Sequence, residues 1–179
     1  REQCITEAEF KSIFELVADE PFQDVLETAW ECGPRPQELL RVEARHVDLE
    51  NSRWVFPQNE AKGKKKVRVV YLTDRALEIT RRRMLKHPEG PLFRNTKGRP
   101  WTAYAVNCRF TKLKSKLGTK YCLYAFRHSF ATRMLESGTD ALTVSILLGH
   151  SDTTMLGKVY QHLSHNPGHL REQLRRAQA

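Results

Sequence analysis

The protein has 179 residues, with 30 Lys and Arg against 21 Asp and Glu and a formal net charge of +9. That length suits one ordinary domain with a proper core and argues against a second full domain, while the positive field selects polyanions as partners, nucleic acid ahead of a membrane surface. No apolar run approaches the roughly 20 residues needed to span a bilayer and no signal-peptide pattern opens the chain, so a soluble cytoplasmic protein is expected; a chain that starts at Arg1 suggests a fragment of something longer.

The opening segment predicts a helix, with Thr6 as cap, Glu9 completing a capping box, and Phe10, Ile13, Phe14 and Val17 at helical spacing. A second helix starts after Pro21, buries Phe22, Val25, Leu26 and Ala29, and ends at Cys32 with Gly33 as a left-handed cap. In GPRPQELLRVEARHVDLE, Pro36 suits the first turn of a third helix, which puts Arg35 at a helix start where backbone N–H groups also face outward. An arginine there can hold a phosphate, although a solvated surface arginine has the same signature. Glu38, three residues on, is placed to brace it by an ion pair.

From His46 to Thr73 the period shifts toward two. HVDLE, RWVFP and VRVVYLT predict three short antiparallel strands, with the basic segment Lys62 to Lys66 in or beside the second hairpin turn. Such a loop suits backbone phosphates, and its plain alternative is a solvated charge run. Asp74 is expected to cap a fourth helix through Ala76, Ile79 and Met84, with Arg81, Arg82 and Arg83 facing water. The loops HPEGPLF and NTKGRP follow, the second with a turn at Lys97-Gly98. Thr102 opens a further helix through Val106, Phe110 and Leu113, to which Lys112, Lys114 and Lys116 add positive charge.

The stretch from Leu123 to Leu163 reads as helix, turn, helix, turn, helix, and it carries Arg127, His150 and Tyr160. After Asn166 and Pro167 comes a short amphipathic helix with Leu170 and Leu174 one turn apart. A helix so short is marginal in water and needs a docking surface. Cys4, Cys32, Cys108 and Cys122 are scattered, without a CxxC pair or a zinc-ligand partner, and read as reduced thiols. No metal or cofactor motif is visible.

Breaking a phosphodiester without a metal needs fixed donors on the phosphoryl oxygens, a nucleophile in line and a proton for the leaving oxygen. Two arginines suit the first task, because the guanidinium fork matches phosphate and stays charged. A tyrosine can serve as nucleophile if nearby positive charge favours its phenolate. A lysine in a loop can supply the proton. Arg35, Arg127, Lys62 and Tyr160 provide these residue types, with His150 as a further donor.

On these residues the chain resembles the catalytic domain of the tyrosine recombinases, the phage integrase family of Xer-like and Cre-like enzymes. The family's first arginine lies in a Gly-x-Arg-x-x-Glu setting, matched by Gly33, Arg35 and Glu38. Its second lies in His-x-x-Arg-His, matched by Tyr124, Arg127 and His128, and its Leu-Gly-His by Leu148, Gly149 and His150. Its nucleophile precedes a His-Leu, matched by Tyr160, His162 and Leu163. Two departures stand out. Tyr124 replaces a histidine and keeps a hydroxyl donor without imidazole acid–base chemistry. The lysine loop AKGKKKVRVVYL is one residue longer than the family's usual pattern, which leaves the lysine register open between Lys62, taken here as general acid, and Lys64 as second choice. His128 reads as a packing residue. Taken alone, His150 would be a helix-cap residue and Tyr160 a core aromatic; the motif context assigns both to the site.

The resemblance implies a mainly helical α+β fold with a small three-stranded antiparallel sheet, comprising a single catalytic domain over residues 1–179. It implies that the family's N-terminal core-DNA-binding domain is absent from this chain, and that a helical tail, 164–179, packs at home or on a neighbouring protomer. It further implies site-specific recombination or integration of double-stranded DNA, such as that of a mobile element. Tyr160 would attack a phosphate to give a 3′-phosphotyrosyl link and a free 5′-hydroxyl, with no metal or cofactor, within a homo-tetramer on two DNA sites. Arg35, Arg127 and His150 would bind the non-bridging oxygens and Lys62 would protonate the leaving oxygen. The alternatives are a type IB topoisomerase-like strand religation and a non-catalytic DNA-binding module.

Overall fold

The computed structural model describes residues 3–61, 63 and 66–150, together with Gly168, Arg171 and Arg175. Lys62, Lys64, the expected third helix of the Leu123–Leu163 stretch with Tyr160, and Leu170 and Leu174 of the tail lie outside the described residues. The chain divides into two compact units, Arg1–Phe130 and Ala131–Ala179.

The first unit is built on α2, Glu20–Cys32. Asp19 caps it by accepting from the Phe22 N–H at 3.1 Å, and Gly33 closes it in the left-handed conformation at φ 57°. Nearly the whole length of α2 is buried, with Phe22, Val25, Leu26 and Ala29 in the core. Around it stand α1 (Glu7–Glu15), α3 (Pro36–Arg41), α4 (Asp74–Lys86), α5 (Ala103–Leu117) and the first turns of α6 (Leu123–Glu136). Ile13, Leu39, Ile79, Phe110 and Phe126 join the apolar cluster from the surrounding helices. The expected capping box at Thr6 and Glu9 starts α1, and Glu9 also accepts from the Tyr121 hydroxyl at 2.8 Å.

The sheet is antiparallel in the order β1 (Val47–Asp48), β2 (Arg53–Phe56), β3 (Arg68–Tyr71). Trp54, Phe56 and Val70 turn inward while Val55 and Val69 lie nearer solvent, the alternation that a half-buried sheet imposes. Glu60, after β2, is tied by Arg45 through two bonds of 2.7 and 3.1 Å and by His46 Nε2 at 2.9 Å. This clamp fixes one stem of the lysine-rich loop.

Two expectations about α4 need correction. Its cap is Thr73, whose hydroxyl accepts from the Ala76 N–H at 3.3 Å, while Asp74 is already helical. The three arginines do not share a wet face. Arg81 is exposed, but Arg83 is buried and paired with the equally buried Asp24, and Arg82 reaches Asp24 at 2.7 Å and Glu20 at 2.7 Å. Consecutive helical residues point about 100° apart, so a run of three must sweep toward the core, and here a carboxylate on α2 receives it.

In the second unit α7 spans Ala141–Leu148. Asp140 caps it by accepting from the Thr143 N–H at 2.9 Å, and Gly149 ends it at φ 65°. Ala131, Leu135, Val144 and Leu148 are buried apolar residues of this unit. Gly168, Arg171 and Arg175 are helical and exposed. Among the described residues no helix is long and apolar enough to cross a membrane.

Candidate active site

Arg35 is the residue from which α3 starts. Pro36 supplies the pre-set φ of the first helical position, and Glu38 folds back over the helix start. One Glu38 oxygen accepts the Arg35 backbone N–H at 2.8 Å, and the other accepts Arg35 Nη1 at 2.8 Å. The same carboxylate therefore satisfies an orphan helix donor and orients the guanidinium, whose side chain stays 21% exposed.

A second arginine meets this carboxylate from β3. Arg68 Nε lies 3.0 Å from Glu38 Oε1 and its Nη2 lies 3.4 Å from Oε2, with Arg68 only 6% exposed. Burial works to raise the Glu38 pKa, but the attraction and hydrogen bonds of Arg68 and Arg35 outweigh it and hold the carboxyl below the usual glutamate range.

Arg127, on α6, is the third. It is 4% exposed, and its Nη1 donates to the Gly33 carbonyl at 2.9 Å. Burial, followed by repulsion from Arg35, pushes it down to about 9; Glu38 opposes this and Arg68 adds to it. Three guanidiniums thus stand in electrostatic reach of one carboxylate. Three guanidiniums against one carboxylate give the described part of this cluster a net positive charge, the setting that attracts an oxyanion.

Tyr124, one helical turn before Arg127, is exposed and sets its ring edge-to-face against His128 at 4.7 Å between centroids. His128 therefore has the packing contact expected of it. His150 follows the α7 cap in the second unit, where it is half-buried and its backbone N–H donates to the Ser145 carbonyl at 2.9 Å. Of the six residues selected from the sequence, the structure brings together Arg35 and Arg127 and sets Tyr124 on the same helix as Arg127. His150 belongs to the other unit, and Lys62 and Tyr160 fall outside the described residues.

Arg68 was not selected from the sequence. The signal was present, because in VRVVY the alternation puts Arg68 on the same face as the core residue Val70. A charged residue in register with a buried one has to find a partner inside.

Comparison with known proteins identifies the family and the fold. The model of the phage integrase family matches residues 3–166. The tyrosine recombinase XerC of Pseudomonas fluorescens is 34% identical over 147 residues, covering 79% of this chain and 48% of that protein. XerD of Staphylococcus saprophyticus is 31% identical over 150 residues, covering 78% and 49%. The chain spans about half the length of the curated relatives it matches. Among solved structures, the XerA recombinase superposes with a TM-score of 0.75 at 21% identity, covering 98% of this chain and 65% of that one. The Tn1549 transposon integrase in complex with transposon right end DNA superposes with a TM-score of 0.77 at 21% identity, covering 100% and 67%. With Arg35 and Arg127 at the positions of the family's motifs, the chain belongs to the phage integrase family of tyrosine recombinases.

Proposed function

We propose that this chain is the catalytic part of a site-specific DNA recombinase acting in the cytoplasm. The observation that supports this most directly is the buried Arg127 in electrostatic reach of Arg35, Arg68 and the Glu38 carboxylate that both of them bond. A scissile phosphate would complete that cluster. Arg35, Arg127 and His150 bind its non-bridging oxygens, with the Tyr124 hydroxyl as a further donor. The Tyr160 oxygen attacks phosphorus as its proton leaves, and the bond to the 5′ oxygen breaks. Lys62 supplies the proton that this oxygen takes. The 3′-phosphotyrosyl link conserves the bond energy, so a 5′-hydroxyl from a partner strand can reverse the step without a cofactor. Completing two such exchanges calls for a tetramer on two double-stranded DNA sites, with residues 164–179 packing at home or on a neighbouring protomer.

The test uses nicked duplexes of randomised sequence, in which the short fragment beyond the nick diffuses away after cleavage and traps the adduct. Wild type forms an SDS-resistant protein–DNA adduct and Tyr160→Phe forms none. No adduct with wild type, or an adduct with Tyr160→Phe, overturns the reading. Efficient relaxation of a supercoiled plasmid without paired sites would instead assign a topoisomerase-like activity.

A further inference from the structure

We infer that His46 is a positioning residue of the reaction, holding Glu60 and the start of the lysine-rich loop in register with the helix that Arg35 begins; this rests on the reading above, in which a lysine of that loop protonates the 5′ oxygen. His46 closes the short helix Ala44–His46, which follows α3 after Val42 and Glu43. Its side chain is 2% exposed, and its ring packs on Phe56 at the end of β2 with 4.7 Å between centroids. Both ring nitrogens are engaged. Nδ1 accepts the Glu43 backbone N–H at 3.0 Å, and Nε2 lies 2.9 Å from Glu60 Oε2. A backbone N–H can only donate, so Nδ1 carries no proton and the ring proton sits on Nε2, aimed at Glu60.

Glu60 has two partners of unequal rigidity. Arg45 gives it two charged bonds, at 2.7 and 3.1 Å, which hold its carboxyl below the usual glutamate range and keep it an anion at neutral pH. The Arg45 side chain is 55% exposed, however, and an ion pair in water is readily exchanged for hydration. The His46 ring has no such alternative, because a departing Glu60 would leave a buried N–H without its acceptor. The buried partner therefore sets where Glu60 stays. Glu60 and Ala61 both donate their backbone N–H groups to the Pro57 carbonyl, at 3.0 and 3.1 Å, and Ala61 is buried. In the sequence this turn runs directly into Lys62 and Lys64. On its other side the His46 turn is anchored to the core, since Glu43 is bridged to Pro91 and the Val42 carbonyl accepts the Leu92 N–H at 2.8 Å. One continuous set of contacts thus joins the start of α3, where the phosphate is bound, to the segment that delivers the proton.

In His46→Asn the amide oxygen takes the place of Nδ1 toward the Glu43 N–H, but the side chain is too short to reach Glu60. Glu60→Ala removes the same contact from the exposed side. The duplex that wild type cleaves is prepared in two forms, with oxygen or with sulfur as the 5′ bridging atom at the cleaved phosphate. A thiolate leaves without being protonated, so the sulfur form bypasses the general acid. At saturating DNA each variant is expected to form adduct at least about tenfold more slowly than wild type on the oxygen duplex and within about threefold of it on the sulfur duplex. Lys62→Met or Lys64→Met should show the same rescue. A wild-type rate for either variant on the oxygen duplex, or an equal loss on the sulfur duplex, would overturn the inference. A second readout needs no activity. Nitrogen-15 NMR of the wild-type histidines at pH 7 should find His46 protonated at Nε2 alone, and a proton on Nδ1 would also overturn it. Should wild type form no adduct, or neither lysine variant be rescued by sulfur, the functional reading fails by itself, and the His46 tautomer still decides whether the ring holds Glu60.

Discussion

The Gly33 carbonyl accepts a hydrogen bond from Arg127 Nη1 at 2.9 Å, between residues 94 positions apart in the chain. The turn that ends α2 therefore also seats the second arginine, and two residues later the same turn delivers Arg35 to the start of α3. A Cβ on Gly33 would lie 2.6 Å from a ring carbon of Phe130, at a backbone φ of 57°. Gly33→Ala is expected to destabilise the protein by about 1–3 kcal/mol through this overpacking. It should also lower adduct formation more than the stability loss accounts for, because both arginines move. Urea unfolding and the nicked-duplex assay on the same preparation measure the two effects.

Arg35 and Arg68 in electrostatic reach of the buried Arg127 predict stabilisation by oxyanions. If phosphate binds with a dissociation constant on the order of 10 mM, 100 mM phosphate should raise the melting temperature by roughly 3–6 °C over chloride at equal ionic strength. Arg127→Met should lose most of that increment. A thermal-shift series with phosphate, sulfate and chloride distinguishes specific binding from general screening.

Glu38 has its carboxyl held below the usual glutamate range in the folded protein. The unfolded chain thus takes up the proton first, so the contribution is complete above the ordinary value of 4.5 and is lost as pH falls through the folded value. Glu38→Gln should melt lower than wild type at pH 7. Its melting temperature should also fall less steeply between about pH 5 and 3, since the linked group is gone. Scanning calorimetry across that range reads both effects.

Asp24 and Arg83 form a buried pair between α2 and α4, each with 1% exposure. Asp24→Ala leaves Arg83 without its buried counter-ion and is expected to cost about 3–5 kcal/mol. Replacing Arg81 by Ala on the exposed side of the same helix should stay within about 0.5 kcal/mol. Urea denaturation of the two variants tests whether burial, rather than charge as such, sets the cost.

Tyr124 is 45% exposed and holds His128 by a ring edge. Tyr124→Phe keeps that contact and removes only the hydroxyl, so the melting temperature should hardly change. A hydrogen bond to a charged phosphate is worth about 1.5–3 kcal/mol, so the adduct rate should fall roughly 10- to 150-fold if the hydroxyl donates in the transition state. An unchanged rate would remove Tyr124 from the catalytic set.

Local chemistry determined a large part of this protein. Thr6 with Glu9, Gly33, Pro36, Thr102 and Gly98 are signals that act within a few residues, and the helices and turns appear where those signals stand. The period-two runs from His46 to Thr73 likewise became the three-stranded sheet, although β1 is only Val47–Asp48. Arg35 and its brace Glu38 were legible because three residues separate them, one turn of a helix. The tertiary structure decided what lies beyond that reach. The order of Arg81, Arg82 and Arg83 along α4 does not reveal that Asp24 waits on α2 for Arg83, and no local pattern joins Arg127 to the Gly33 carbonyl. Arg68 shows the boundary most clearly. Its alternation with Val70 announces a buried charge, but the carboxylate that makes such a charge tolerable is 30 residues upstream and is identified only once β3 and α3 have packed.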